Sequence, residues 1–162
     1  MIRAKGLVRL GNTKHKGKGV FAKIDIKKGT AILEFAGKVV DRKWLEEKNS
    51  LRIENHSMQI GPNKFFGPSK KIDDYINHSC NPNCYVEIKG RRVMLVSLRN
   101  LKQGEELNWD YSTTIWHDGW TMRCHCGSKN CRHIIGNFSY LPEKTKKKYI
   151  RLGMVPKYAQ RP

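Results

Sequence analysis

Short apolar runs separated by turn residues recur along most of this chain. Val20–Ile24, Ala31–Phe35 and Tyr85–Ile88 are clear examples, each only four or five residues long. Runs this short, rich in β-branched and aromatic residues, favour strands, because an amphipathic helix needs a longer stretch. The pattern predicts a mainly β protein, a β-rich α+β fold of small sheets.

Turn residues between the runs predict two hairpins. A Gly-Pro-Asn turn at residues 61–63 separates His56–Ile60 from Lys64–Phe66. A Lys-Gly turn at residues 89–90 separates Tyr85–Ile88 from Arg91–Leu98. Glycine, proline and asparagine favour the backbone angles of tight turns, so each pair of runs is predicted to be antiparallel.

Helix signals occur at two places. Asp41 is a candidate N-cap for a short helix that fades near Asn49. Near the end of the chain, Pro142 suits a first helical position, and Gly153 suits a helix stop. The apolar residues predicted to dock the far end of this second helix are Tyr149, Ile150 and Leu152.

The charge is concentrated at the two ends of the chain. The 162 residues carry a net charge of +18. Residues 1–28 hold nine basic side chains and one acid, and residues 143–162 hold seven and one. Basic ends around a nearly balanced middle suggest contact with a polyanion such as nucleic acid. The alternative is that these lysines only keep the protein soluble.

The length and the apolar runs limit the class of protein. A chain of 162 residues is long enough for one domain with a modest core. No apolar run approaches the roughly 18 residues of a membrane helix, and the N-terminus lacks an apolar signal core. We therefore expect an intracellular protein without a membrane partner, in the cytoplasm or nucleoid of a prokaryote or the nucleus of a eukaryote.

The stretch Tyr75-Ile-Asn-His-Ser-Cys-Asn-Pro-Asn-Cys84 carries the densest set of chemical groups. Asn77 offers an amide, His78 a ring with two nitrogens, and Cys80 a thiol that can bind a metal. Pro82 excludes a helix here and predicts a fixed turn that leads into a strand. Taken alone, the stretch could be a polar turn with two half-buried cysteines.

Three further motifs accompany this turn. Gly-Lys-Gly-Val-Phe-Ala lies at residues 17–22, Gly-Glu-Glu-Leu-Asn-Trp-Asp-Tyr at 104–111, and Cys-His-Cys-Gly-Ser-Lys-Asn-Cys at 124–131. In this order the four motifs resemble a SET-domain protein lysine methyltransferase with a post-SET zinc segment, over roughly residues 6–136. The lack of a cysteine-rich segment before residue 80 resembles small microbial or viral members.

The resemblance implies a domain organisation and a fold. Residues 6–115 would form the SET domain, 116–136 the post-SET zinc segment, and 137–162 a basic tail with a short helix. The implied fold is a set of small sheets in which the C-terminal segment threads beneath a loop in a knot-like way.

Five cysteines, an odd and clustered set, favour zinc over disulfides. Cys124, Cys126 and Cys131 supply three thiolates from one loop, and a closed structural site needs a fourth ligand. From the residues alone, the fourth ligand could be His125, His133, Cys80 or Cys84. The resemblance implies Cys80, with Cys84 left as a small buried hydrophobe and one structural Zn²⁺ per chain.

The resemblance also implies that S-adenosylmethionine is the cofactor. Gly17 and Gly19 lack a Cβ and let a ligand approach the backbone, although Gly-x-Gly alone could be a simple turn. The implied contacts come from two central motifs and from the post-SET segment. They are Lys18, Gly19, Val20, Tyr75, Asn77, His78 and His125. We expect His78 to be a fixed hydrogen-bonding group and not a general base.

The implied reacting centre is at the end of the 104–111 motif. Tyr111 matches the catalytic tyrosine that orients the lysine amine and the methyl group. The alternative is a core tyrosine bonded to backbone. Trp109 matches a channel position that is usually Phe or Tyr in this family. Its larger ring would either crowd the channel or turn away into the core.

Three functions compete at this point. The first is a lysine methyltransferase that acts on a nucleic-acid-associated protein: a histone-like, nucleoid or ribosomal protein. The second is a non-catalytic zinc module that binds nucleic acid through its basic ends, and the third is a SET fold without turnover. The first explains the motifs best. A basic enzyme needs acidic residues in its groove to attract a lysine-rich substrate, and the candidates are Glu46, Glu47, Asp73 and Asp74.

Overall fold

The computed structural model describes residues 6–48, 56–116 and 119–160. Within these ranges the chain forms small sheets and two α-helices, as the apolar pattern predicts. The strands are β1 (Val8–Asn12), β2 (Lys18–Ala22), β3 (Ala31–Glu34), β4 (Val39–Val40), β5 (Met58–Gly61), β6 (Lys64–Phe66), β7 (Asn77–His78), β8 (Cys84–Lys89), β9 (Arg92–Ser97), β10 (Glu106–Trp109), β11 (Met122–Arg123) and β12 (Ile134–Ile135). The helices are α1 (Arg42–Lys48) and α2 (Glu143–Arg151).

A four-stranded sheet joins three distant parts of the sequence. Its strand order is β1-β2-β10-β7. Strand β10 is antiparallel to β2 and parallel to β7, where Asn108 lies opposite Asn77 and Trp109 lies opposite His78. The strand pairing therefore places the Gly-Lys-Gly, Asn-His-Ser-Cys and Gly-Glu-Glu-Leu motifs side by side.

Three smaller sheets complete the β structure of the described residues. Their strand orders are β3-β9-β8, β4-β6-β5 and β11-β12. The two predicted hairpins are confirmed as the antiparallel pairs β5–β6 and β8–β9. At the β8–β9 turn, Gly90 has a φ of 59°, a left-handed angle that glycine adopts without steric cost.

The main core lies between the four-stranded sheet and the β3-β9-β8 sheet. It is built from the alternate, inward-facing positions of both sheets and of the turns between them. Its buried apolar residues are Val20, Ala22, Ile26, Ile32, Leu33, Phe35, Ile76, Cys84, Val86, Val93, Leu95, Leu101, Leu107 and Trp109. The cysteine predicted to be a small buried hydrophobe, Cys84, is fully buried there.

The N-terminus of α1 is capped as the sequence predicts. The Asp41 carboxylate accepts a hydrogen bond from the Trp44 N–H at 2.9 Å. This bond satisfies one of the amides that the first helical turn leaves without an intrahelical partner. Leu45 is the residue that α1 buries.

Helix α2 corrects two expectations. Pro142 is the residue before the helix, with an extended ψ of 140°, and not the first helical residue. Gly153 ends the helix region with a φ of 68°, as predicted. Of the three apolar residues expected to dock, only Tyr149 is buried, whereas Ile150 and Leu152 are 43% and 46% exposed. Ile150 points about 100° away from Tyr149 around the helix, and Leu152 lies after the last helical residue.

The C-terminal segment packs on the rest of the chain through a second apolar cluster. Tyr85 and Leu98 pack against this cluster from β8 and the end of β9. Its buried members are Phe138, Leu141, Tyr149, Met154, Val155 and Ala159. The proposed domain boundaries and the knot-like threading stay predictions. None of the described helices is long and apolar enough to cross a membrane.

Candidate active site

Four cysteine sulfurs converge at one point beside the central turn. Cys80, Cys124, Cys126 and Cys131 have Sγ atoms that all lie within 4.8 Å of one another. The Cys80 and Cys124 sulfurs are 3.8 Å apart. A tetrahedron with Zn–S bonds of about 2.3 Å has sulfur–sulfur edges of ~3.8 Å, so this spacing fits zinc. Cys84 is not part of the group.

Hydrogen bonds to the sulfurs add to this fit. The Arg132 N–H donates to the Cys80 sulfur at 3.4 Å, and the Ser128 hydroxyl lies 3.0 Å from the Cys126 sulfur. Burial raises the pKa of Cys80 to about 11, so a nearby cation would be needed for this thiol to ionise near pH 7. A bound dication would supply that charge, and the donors are of the kind that surround metal ligands.

His78 links the sulfur group to the reacting centre. The Tyr111 N–H donates to its Nδ1 at 3.1 Å, so the ring proton lies on Nε2, which is 3.3 Å from the Cys80 sulfur. Burial lowers the pKa of His78 to about 4, and the ring is neutral near pH 7. With both nitrogens engaged, His78 has the character of a fixed hydrogen-bonding group.

A buried carboxylate connects three parts of the C-terminal half. Asp110 is fully buried, and its two oxygens accept from the Arg132 guanidinium at 2.8 and 2.7 Å. The Tyr149 hydroxyl donates to the same carboxylate at 3.1 Å, and the Ser112 N–H donates at 3.1 Å. Asp110 directly precedes Tyr111. It therefore connects the cysteine loop, through Arg132, and α2, through Tyr149, to the segment that carries Tyr111.

The residues predicted to hold the cofactor fall into two sets. The Asn77 side-chain amide donates to the Lys18 carbonyl at 3.0 Å and to the Glu106 carboxylate at 2.9 Å. Lys16 approaches the same Glu106 oxygen at 2.9 Å. Among the described residues, no donor reaches the Asn77 Oδ1. This polar cluster on β2, β7 and β10 has hydrogen-bond donors and acceptors that suit the amino and carboxylate groups of a ligand such as S-adenosylmethionine.

Gly19 and Val20 lie in the same sheet but differ from the expectation of an open backbone. A Cβ on Gly19 would lie 2.6 Å from Thr13 Cγ2 and 3.0 Å from Glu106 Oε1. The glycine is thus required by the packing of the chain's own side chains. Val20 is fully buried, so its side chain belongs to the core.

Tyr75 and His125 form the second set, and among the described residues neither is hydrogen-bonded to the Asn77 side chain. Tyr75 is 36% exposed, and its ring packs edge-on against His56, with centroids 6.4 Å apart. His125 and His133 are exposed and are not in the sulfur group. Cofactor contacts from Tyr75 and His125 stay predictions.

A cavity of about 350 Å³ lies beside Tyr111. It is bounded by β5, β6, α1 and the segment after β10, and Trp120 closes one side of it from the C-terminal segment. Six of its 19 lining residues are Phe, Tyr or Trp, and such rings suit a channel for a desolvated amine. The aromatic lining residues are Phe35, Phe65, Phe66, Trp109, Tyr111 and Trp120.

The predicted catalytic and channel residues meet in this cavity. The Tyr111 and Trp109 rings are 4.9 Å apart between centroids, and Trp109 also packs edge-on against Phe35 at 6.3 Å. The Tyr111 hydroxyl donates to the Ile76 carbonyl at 2.7 Å. Burial raises the pKa of Tyr111 above its usual value, so the phenol stays neutral. The backbone bond that was the alternative for Tyr111 is present, but the ring still faces the cavity.

Two of the four candidate acids line the cavity. Asp73 and Asp74 lie in its wall, where each accepts hydrogen bonds from neighbours such as the Ser69 hydroxyl (2.9 Å to Asp73) and the Ser69 N–H (2.9 Å to Asp74). Glu46 and Glu47 are exposed on α1 and are not among the lining residues. The expectation for these two was wrong because they extend from the outer face of the helix.

Sequence reasoning missed the pairing of Asp110 with Arg132 and Tyr149, and the role of Glu106. Both acids belong to the motif at residues 104–111, but their partners are distant in sequence. Those of Asp110 lie 22 and 39 positions away, and those of Glu106, which are Asn77 and Lys16, lie 29 and 90 positions away. A buried acid just before Tyr111 could have signalled the need for a cation, and Arg132 directly follows the last cysteine.

The sequence of this chain matches a known protein family. A model of the SET domain matches residues 17–112, more than half of the chain. Human histone-lysine N-methyltransferase 2D is 34% identical over an alignment of 143 residues that covers 79% of this chain and 2% of that protein.

Two further relatives come from a fungus and a plant. The Mycosarcoma maydis histone-lysine N-methyltransferase, H3 lysine-36 specific, is 34% identical over 140 residues, covering 80% of this chain and 14% of that protein. Arabidopsis thaliana ASHH3 is 32% identical over 140 residues, covering 80% and 38%. The chain therefore spans less than two fifths of the length of these curated relatives.

Proposed function

The chain belongs to the SET-domain family, as its motifs predict, and we propose on this basis that it is a protein-lysine N-methyltransferase. The proposed cofactor is S-adenosylmethionine, with one structural Zn²⁺ at Cys80, Cys124, Cys126 and Cys131. The observation that carries the proposal is the aromatic-lined cavity at Tyr111, two residues after the strand that pairs with Asn77 and His78. When bound, S-adenosylmethionine supplies a methyl group on a positively charged sulfur.

The cavity would prepare a lysine side chain for reaction. A free lysine has a pKa of about 10.4, so it is almost wholly protonated and non-nucleophilic at neutral pH. Transfer into a cavity walled by Phe35, Trp109 and Trp120 removes water and favours the neutral amine. The same ring faces attract the cationic forms that precede and follow the reaction.

Tyr111 would align this amine. Its hydroxyl proton is already donated to the Ile76 carbonyl at 2.7 Å, so the oxygen has lone pairs with which to accept a hydrogen bond from the amine. Because burial raises the pKa of the phenol, Tyr111 acts as a neutral positioning group and not as a phenolate base. Its ring is held between His78 and Trp109, at centroid distances of 5.3 and 4.9 Å.

The sulfur group would hold the C-terminal wall of the cavity in place. Trp120 lies four residues before Cys124, so zinc at the cysteines fixes the segment that carries this ring. The Asp110–Arg132 pair fixes the same segment from the other side. Zinc here is structural because four sulfurs leave no open position for a reactant.

The proposed substrate is a lysine on a nucleic-acid-associated protein, in a nucleus or nucleoid. The relatives' names specify histones, and histone-like proteins reach an enzyme already bound to a polyanion. A free lysine-rich tail would be repelled by a chain of net charge +18, whereas a substrate on nucleic acid has its charge largely neutralised. Asp73 and Asp74 provide local negative charge at the cavity.

Transfer of tritium from labelled S-adenosylmethionine tests the activity. The purified protein is incubated with recombinant core histones, free and as nucleosomes, and with a lysate from which labelled bands are identified by mass spectrometry. We expect a labelled protein with the label on a lysine Nζ. Tyr111→Phe should lower turnover by at least about 100-fold while the affinity for S-adenosylmethionine changes little.

Tyr140→Phe is the matched control, because Tyr140 is 72% exposed and is not among the residues lining the cavity. It should retain the wild-type rate. No labelled protein from any source, together with nucleic-acid binding, would favour the non-catalytic zinc module. Normal turnover by Tyr111→Phe would move the reacting centre elsewhere.

A further inference from the structure

Helix α2 carries its cations on one face. Lys144, Lys147, Lys148 and Arg151 are all exposed. Their spacing of i, i+3, i+4 and i+7 places them within an arc of about 100° at 3.6 residues per turn. Tyr149, on the opposite side of the helix, is 3% exposed. We call these four residues the cationic face.

No carboxylate among the described residues forms an ion pair with the cationic face. The one acid on α2, Glu143, pairs with Lys146, which lies outside the face and also donates to the Ser139 carbonyl at 3.3 Å. Helix α1 differs, since its Lys43 faces Glu47 four residues later at 3.9 Å. Lys146 lowers the pKa of the Glu143 carboxyl, and the charge of the nearby Lys147 adds to this effect. Lys144, Lys148 and Arg151 have no acid partner on the helix.

The cationic face is held on a fixed backbone. Tyr149 packs in the cluster with Phe138 and Met154, and its hydroxyl donates to Asp110 at 3.1 Å. Because α2 is docked in this way, the four side chains start from fixed points and lose less conformational freedom when they bind. A disordered basic tail would lack this property.

We propose that the cationic face binds the phosphate backbone of nucleic acid. The four cations span about 10 Å of helix axis, and duplex DNA carries one negative charge per roughly 1.7 Å, so all four can meet phosphates at once. An anionic membrane fits less well, because Tyr149 is turned into the protein and the two exposed apolar residues, Ile150 and Leu152, form too small a surface to anchor the helix in a bilayer. This surface does not depend on the proposed methyl transfer.

The test measures binding of a labelled random-sequence duplex of about 20 base pairs at several salt concentrations. The variant carries Lys144→Glu, Lys147→Glu and Lys148→Glu. Its matched control carries Lys38→Glu, Lys64→Glu and Arg91→Glu, three exposed residues away from α2 with the same change in charge. We expect the face variant to bind at least about 10-fold more weakly, with a salt slope reduced by about 2 to 3, and the control to change much less.

The outcomes separate this proposal from its alternatives. Equal losses in the two variants would mean that net charge alone governs binding, and salt-insensitive or absent binding would also overturn the proposal. Vesicles with phosphatidylserine form a second arm, and a preference for them over DNA at equal salt would assign the face to membranes. Methylation of a short peptide should be unchanged in both variants. The binding test does not require activity, so a failed binding test can be distinguished from a failed methylation test.

Discussion

Two regions that meet at Tyr111 are stabilised by different chemistry. The body, residues 6–48 and 56–115, buries large aliphatic side chains such as Ile32, Leu95 and Leu107 between its sheets. The sulfur loop, residues 119–136, packs around Cys80 with only Cys124 and Ile135 fully withdrawn from solvent among its apolar residues. The body is stabilised by apolar burial, and the loop depends on specific polar and sulfur contacts.

The magnitudes show why the loop needs these contacts. Each large aliphatic side chain buried in the body contributes about 1.5–3 kcal/mol. One such residue, Ile135, cannot offset the entropy of ordering a segment of this length, at about 1–2 kcal/mol per residue for the backbone alone. Ligand binding by four thiolates contributes far more than one aliphatic side chain. In small zinc domains the apparent binding free energy of structural zinc, which already includes the cost of ordering the chain, is about 10–16 kcal/mol.

Removal of zinc should produce the largest difference between the two regions. As-purified protein should contain about one zinc per chain, and Cys80→Ser should lose both zinc and activity. Hydrogen exchange should then show loss of protection at β11 and β12, while β8 and β9 remain protected, because the body has its own core. Metal analysis and exchange mass spectrometry measure the two effects.

Cys84→Ser is the control for this experiment. Cys84 is as buried as Cys80 but lies in the core of the body, outside the sulfur group. It should keep its zinc and lose only some global stability. Zinc retained in Cys80→Ser and lost in Cys84→Ser would reassign the fourth ligand.

Breaking the Asp110–Arg132 pair should have the next largest effect. Asp110 is fully buried, so Arg132→Met leaves a buried carboxylate without its cation and should lower the free energy of unfolding by about 3–5 kcal/mol. Urea unfolding measures this loss. Arg92→Met removes a comparable but exposed pair with Glu34 and should cost no more than about 1 kcal/mol. An equal loss of unfolding free energy in the two variants would mean that burial does not strengthen the Asp110–Arg132 pair.

The body was largely predictable from sequence because its signals are local. The hairpins around residues 61–63 and 89–90 follow from alternating apolar residues and turn chemistry within ten or so positions. The Asp41 cap follows from a single residue type before an apolar run. The grouping of Cys80 with the loop came from resemblance, since the residues alone left four candidates for the last ligand.

The contacts of the C-terminal segment were not predictable in this way. Arg132 and Tyr149 reach Asp110 from 22 and 39 positions away, and no periodic pattern encodes such a pair. Similarly, Ile150 and Leu152 look like docking residues by composition, but Ile150 points away from the buried side of α2 and Leu152 lies after its last residue, and both are exposed. Polar networks between distant segments depend on the completed fold, so sequence periodicity does not reveal them.

Tyr149→Phe should have a smaller effect that is felt mainly at the sulfur loop. It removes one donor to the Asp110 carboxylate and should lower the free energy of unfolding by about 1–2 kcal/mol. Tyr158→Phe is the control, since its hydroxyl donates to the backbone carbonyls of Gln59 and Thr114. Hydrogen exchange at β12 should increase more in Tyr149→Phe than in Tyr158→Phe, and equal exchange would show that Asp110 does not couple α2 to the loop.

Trp109→Phe should leave the sulfur loop intact and change only the products. The Trp109 ring belongs to the core of the body yet lines the cavity beside Tyr111, so it reduces the space for a methylated amine. We expect the wild-type protein to stop at mono- or dimethylation. Trp109→Phe, with a smaller ring, should raise the count by about one methyl group without loss of zinc.

Intact-mass analysis of a methylated peptide at long reaction times measures this count. Trp44→Phe is the matched control, because Trp44 is a half-buried tryptophan on α1 that is not among the residues lining the cavity. It should keep the wild-type product distribution. A wild-type protein that readily trimethylates its substrate would contradict the crowding argument, because Trp109 would then leave enough room for a dimethylated amine to turn and react again. Loss of zinc in Trp109→Phe would instead show that the body and the sulfur loop are not independent at the cavity.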